Sequence, residues 1–208
     1  PAHRHEWFDV PCCPPNLARL FASVDRDLAE VDDAGDLLLH LPLAARVRSD
    51  EWDVEIIGDY PDGGDMAVVV HAAPPGRTVH VRRPGWAGGR GHDPLPEDGR
   101  WSLPVEWQWW RTGHRVEAAS GLVHLRRGPV VHCVEGVDLP DVDLRDLIVA
   151  DPTAAPQRAF AVVEPDAELY APLDDHVAAT LPVEVRTTPY ALWSNRGTTT
   201  MRMRFPLA

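Results

Sequence analysis

The 208 residues predict a mainly β chain, one N-terminal helix followed by antiparallel β-sandwich structure. Three observations carry this. Apolar residues at helical spacing occur convincingly only near the start, at Leu17, Leu20, Phe21 and Val24, the i, i+3, i+4, i+7 stripe of one helix face. From Asp36 onward the apolar period is two, as in strands with one buried face. Between these stretches lie turn clusters, Asp33-Ala34-Gly35, Pro61-Asp62-Gly63-Gly64 and Pro74-Pro75-Gly76, at the spacing of short sandwich strands.

Taken in order, residues 1–26 hold the helix, with Pro14 and Pro15 suited to a first turn because a missing N–H costs nothing there. Asp25 and the acidic residues after it end the apolar stripe. Strands are predicted at Asp36–Leu41, Trp52–Gly58, Met66–Ala72 and Thr78–Arg82. In the last of these Val79 and Val81 face one way and Thr78, His80 and Arg82 the other, giving one wet face. Residues 87–99 are rich in Gly, Pro and Asp without periodic apolar residues and predict a long loop. Val105–Trp109 alternates strictly, and Arg115–Ala118 is predicted to follow as a strand. Trp107 and Trp109 could stack on a sugar, but inward tryptophans at period two bury large areas and fit a sandwich core better. Gly121–Arg126 and Val130–Glu135 predict consecutive strands joined at Arg127-Gly128-Pro129, with Cys133 inward like Val131, buried and inert. Residues 138–158 predict a surface loop with one short strand at Asp146–Ala150. Ala159–Val163, Val183–Thr187 and Thr200–Phe205 complete the series, and residues 164–182 form an acidic connection.

Composition narrows the function classes. With 32 acidic against 20 basic residues the formal charge is −12, which argues against nucleic acid and anionic membrane surfaces as partners. Every basic residue is Arg, a bias of source rather than a sign of function. No apolar run is long enough to cross a bilayer, and the first residues lack a targeting pattern. Three cysteines, two of them neighbours, make no disulfide framework, which favours reduced thiols and a cytoplasmic setting.

The neighbours are Cys12 and Cys13, directly before the helix. A thiol there feels the positive end of the helix dipole and unpaired N–H groups, which favour the thiolate. Both are candidate nucleophiles or metal ligands, and equally a pair of small buried side chains.

The run from Glu6 to Val24, with Trp7, Phe8, Pro11, Cys12, Cys13, Pro14, Pro15 and Asn16, resembles the double-cysteine segment of glycoside hydrolase family 127, the β-L-arabinofuranosidases. Later stretches are similar to that family in its usual order: Asp59-Tyr60-Pro61, Arg83-Pro84-Gly85-Trp86, Arg127 to Glu135, and Pro189-Tyr190 to Asn195-Arg196-Gly197. The resemblance spans nearly the whole chain. It implies that residues 1–30 end an (α/α)6 catalytic barrel, that 31–117 form a middle β-sandwich domain, and that 118–208 form a C-terminal one. It further implies zinc as cofactor, Cys12 as nucleophile and ligand, Cys13 as ligand, and a third cysteine, a glutamate and the general acid upstream. A thiolate attacking an anomeric carbon, followed by hydrolysis, would retain configuration. The implied partner is an arabinofuranoside or related sugar, and a homodimer is an open assembly.

Rival readings stay on the table. His3 and His5 with the two thiols could make a self-sufficient zinc site, although adjacent thiols and so short a loop make a closed tetrahedron awkward. Glu6 and Asp9 fit a structural or substrate-lining role better than acid/base work. A different class altogether is a non-catalytic β-sandwich module, structural or carbohydrate-binding.

Overall fold

The computed structural model describes residues 12–164 and 179–208. The described residues divide into two compact units, one ending at Val105 and the other beginning at Glu106. The expected start of a new domain at residue 118 is displaced. Strand pairing runs without a break from Trp107 opposite Arg127 to Arg111 opposite Val123, and this ties 107–111 to the second unit.

The first unit opens with α1 (Cys13–Ser23) and a single 3-10 turn, Val24–Asp27. Then come β1 (Ala29–Val31), β2 (Leu37–Leu39), β3 (Ala45–Arg48), β4 (Asp53–Gly58), β5 (Asp65–Ala72), β6 (Val79–Arg83), β7 (Gly91–Pro94) and β8 (Arg100–Ser102). They make two four-stranded sheets, β1-β2-β6-β7 and β3-β4-β5-β8. One sheet sends Leu37, Leu39, Val79 and Val81 inward, the other Val54, Ile56, Met66, Val68 and Trp101, and these side chains share one core with Trp52 and Leu103. Each such aliphatic side chain contributes about 1.5–3 kcal/mol by leaving water. His80 and Arg82 point the other way from Val79 and Val81, as the alternation requires.

Two features of this sandwich differ from expectation. β2 and β6 pair in parallel, Leu37 opposite Val79, so the first sheet is mixed rather than antiparallel. Between them the chain leaves for the other sheet, makes β3, β4 and β5, and returns in the same direction. The second difference is that β7 lies inside the stretch expected to be a loop. As the edge strand beside β6 it is held by main-chain pairing, His92 opposite Arg82, and needs no apolar alternation to form. The short strands β1, β3 and β8 escape the period-two reading because three or four residues carry too little pattern.

The second unit contains β9 (Trp107–Arg111), β10 (Val123–Arg127), β11 (Val130–Glu135), β12 (Leu147–Val149), β13 (Phe160–Val163), β14 (Thr180–Val183), β15 (Thr187–Pro189) and β16 (Met201–Arg202). One sheet has the order β15-β11-β10-β9 with β16 also on β11, the other β12-β13-β14. Their shared core holds Val123, Val134, Leu147, Val149, Phe160, Val185 and Phe205. Phe160 is its hub, meeting Trp109 edge-on at 5.5 Å and Phe205 edge-on at 5.0 Å.

Here β11 matches its expected bounds. The expected strand 115–118 is instead part of the β9–β10 connection, closed by Thr112 N–H donating to Leu122 O, with a 3-10 turn at Glu117–Ala119. The expected strand 183–187 straddles the end of β14 and the start of β15. Val185, fully buried between them, donates its N–H to Gln157 O where the chain changes sheets.

Candidate functional site

Cys12 caps α1 and Cys13 begins it, with Pro14 and Pro15 completing the first turn. Both thiols are exposed, and their sulfurs lie 3.7 Å apart. Two sulfurs bound to one zinc at about 2.3 Å and at the tetrahedral angle sit about 3.8 Å apart, so the pair spans two vertices of such a site. No set of three or more His, Cys, Asp or Glu gathers for a metal among the described residues. His3, His5, Glu6 and Asp9 lie outside the described residues. The helix itself is amphipathic, yet its apolar stripe is open: Leu17, Leu20 and Phe21 are 54%, 51% and 73% exposed.

The later motifs form local structure. In the first unit Tyr60 of Asp59-Tyr60-Pro61 stacks against Trp86 of Arg83-Pro84-Gly85-Trp86, ring centroids 6.4 Å apart and 21° from parallel. In the second unit the motif through Glu135 and the one through Arg196 meet. Glu135 is fully buried and accepts the Ser194 N–H at 2.7 Å and Arg196 Nη2 at 2.6 Å. The same guanidinium grips Asp138 through two bonds of 2.7 and 2.6 Å. Burial alone would raise the Glu135 pKa, but the bonds from Arg196 and Ser194 outweigh it and hold the carboxyl below its ordinary value. Gly136 sits close beside this clamp, where a Cβ would meet Thr200 Oγ1 and force that side chain to move. A buried charge satisfied on this many sides is a structural tie, and it explains two sequence motifs without chemistry.

Cys133 is buried, but it faces the side of β11 shared with Glu135 rather than that of the core residue Val134. Its thiol donates to Thr188 O at 3.4 Å. Burial, with the Glu135 charge, pushes its pKa up to about 11, so it stays protonated. On the opposite face His132 packs edge-on against Trp107, centroids 4.6 Å apart. Burial, helped by the Arg127 charge, lowers the His132 pKa to about 4. Of the tryptophans considered for stacking, Trp109 is half-buried and packs against the core, and Trp107 is exposed. The sequence offered no signal for His132 as a buried neutral imidazole.

Residues 107–206 match the glycoside hydrolase family 127 C-terminal domain. A curated relative, the non-reducing end β-L-arabinofuranosidase of Bifidobacterium longum subsp. longum, is 29% identical over 252 aligned positions covering 97% of this chain and 38% of that protein. A solved GH127 β-L-arabinofuranosidase from Geobacillus stearothermophilus T6 superposes with a TM-score of 0.72 at 25% identity, covering 99% of this chain and 39% of that one. Two further structures, a glycoside hydrolase (TM-score 0.78, 19% identity) and a GH127 β-arabinofuranosidase (0.73, 20%), share the fold over the whole chain and 41% and 40% of their own. The chain thus spans about two-fifths of the length of these relatives.

Fold and comparisons together define the class, the mainly β portion found in glycoside hydrolases. Within that class residues 107–206 match the family 127 C-terminal domain, and nearly the whole chain is similar to about two-fifths of a GH127 β-L-arabinofuranosidase. Among the described residues no helix is long and apolar enough to cross a membrane.

Proposed function

We propose that the chain belongs to a retaining glycoside hydrolase acting on a β-L-arabinofuranoside, with Cys12 as nucleophile and Cys12 and Cys13 as ligands to zinc. The observation that carries this is the sulfur pair, exposed and 3.7 Å apart at the start of α1. The open apolar stripe of Leu17, Leu20 and Phe21 supports a helix that packs against further helical structure, as in the barrel implied by the resemblance. Zinc bound there would keep both sulfurs as thiolates near neutral pH. Cys12 Sγ then bonds to the anomeric carbon as the bond to the leaving oxygen breaks, that oxygen taking a proton from a carboxylic acid outside this chain. Water displaces the sulfur in a second inversion, so configuration is retained. A serine hydroxyl is a far poorer nucleophile and ligand than a thiolate, which separates the roles of the two residues.

The test uses the full-length protein. Cys12→Ser abolishes turnover at every zinc concentration, whereas Cys13→Ser loses zinc and regains part of its activity in excess metal. A sugar adduct trapped on the enzyme maps to Cys12. Rescue of Cys12→Ser by zinc, or an adduct on Cys13, refutes the assignment.

A further inference from the structure

The face of the β1-β2-β6-β7 sheet that points away from the core carries a cluster of imidazoles. Leu37 and Leu39 point inward, so His40, the next residue in the alternation, points out. His92 sits opposite the outward Arg82, and Glu30 is paired with Leu38, so both share that face. His40 Nδ1 and His92 Nε2 lie 2.9 Å apart, their rings 4.9 Å between centroids and inclined at 72°. Glu30 Oε1 stands 3.5 Å from the other nitrogen, His40 Nε2, whose side chain is only 19% exposed.

A carboxylate at Nε2 favours the tautomer with its proton there, which leaves the Nδ1 lone pair of His40 directed toward His92. Two nitrogens held about 2.05 Å from one metal at a right angle are about 2.9 Å apart, whereas a tetrahedral ion would need about 3.3 Å. The 2.9 Å separation, that of the hydrogen bond between the two rings, also matches two neighbouring positions in a square or octahedral shell. Glu30 stands at ion-pair rather than hydrogen-bond distance behind His40, on the side where ligating histidines ordinarily have a carboxylate partner.

We propose that His40 and His92 form a two-imidazole site for a transition-metal dication of the copper or nickel class, with Glu30 orienting His40 from behind. No third His, Cys, Asp or Glu converges here among the described residues, so water completes the shell. Binding moves the His92 proton from Nε2 to Nδ1, freeing the lone pair without net proton release. The metal would tie the end of β2 to the edge strand β7. This site is separate from the cysteine pair and does not depend on the hydrolase reading.

Cu2+ is the probe, in a chain carrying His3→Gln, His5→Gln, Cys12→Ser and Cys13→Ser so that no other N-terminal imidazole or thiol competes. Calorimetric titration and electron paramagnetic resonance should show one equivalent bound with two equatorial nitrogens, and a raised melting temperature. His40→Gln and His92→Gln should each weaken binding at least tenfold. His71→Gln, an exposed histidine paired with Glu55 on the other sheet, should leave it unchanged. Glu30→Gln alters an exposed side chain and should weaken binding about tenfold, which keeps the site testable should either histidine variant fail to fold. Binding that survives His92→Gln, falls equally with His71→Gln, or is indifferent to Glu30→Gln overturns the proposal.

Discussion

His132 makes the stability of the second unit depend on pH, over a window that opens well above that of the carboxylates. Its ring is 8% exposed, lies against Trp107, and its Nδ1 has no hydrogen-bond partner among the described residues. Burial holds the folded pKa at about 4 against 6.5 for a free histidine. The folded state therefore binds fewer protons than the unfolded one, and stability falls as pH drops below 6.5, the loss being complete below 4. Integrating that linkage gives a loss of about 2 kcal/mol between pH 7 and 5 and about 3 kcal/mol by pH 4. Asp53 and Asp143, held at about 2 by Arg46 and Arg145, act in the same direction only as pH falls toward their ordinary value of 3.8, at the foot of this window. His92 and His124 are also lowered, burial first in each case, and act in the same direction. They are present in both members of a comparison with His132→Gln and so cancel. The assay is urea unfolding at pH 7 and pH 5 of both proteins, followed by pulse-labelled hydrogen exchange over residues 123–135. The wild type should lose about 2 kcal/mol more than His132→Gln on acidification. Equal losses would show that the imidazole is not a buried neutral group.

Replacing Arg196 by Met strands the Glu135 carboxylate in the interior, and should cost about 3 kcal/mol or more in unfolding free energy. The double change Glu135→Gln with Arg196→Met should recover much of that loss. Titration of the native chain with a chromogenic disulfide should consume two thiols, Cys12 and Cys13, quickly, and Cys133 only once denaturant is added, because it is buried and held as the thiol. Trp109→Ala removes a half-buried ring that packs edge-on against Phe160 and should cost about 3 kcal/mol, whereas Trp107→Ala, at an exposed position, should cost less than half as much by thermal unfolding.

The sequence by itself determined the mainly β class, the position of the helix that starts at Cys13, and most longer strands. A half-buried strand must alternate, and that alternation is written locally, as in Val79 and Val81 against His80 and Arg82. It also determined the two adjacent thiols at a helix start, since that depends on neighbours in the chain. Tertiary structure decided the rest. Nothing local in Gly91–Pro94 records an edge strand, because its stability comes from the main chain of β6. The parallel pairing of β2 with β6 depends on where the chain goes across some forty intervening residues. Arg127 to Glu135 and the stretch around Arg196 were visible as motifs, but that their charges meet in a buried clamp could be seen only once β11 and the segment after β15 were side by side. His40 and His92 were likewise ordinary surface histidines until two strands 52 residues apart brought their nitrogens within 2.9 Å. Periodicity records which face of a strand is buried; it carries no record of which distant strand lies beside it, and in a sandwich that choice decides which side chains of different strands meet.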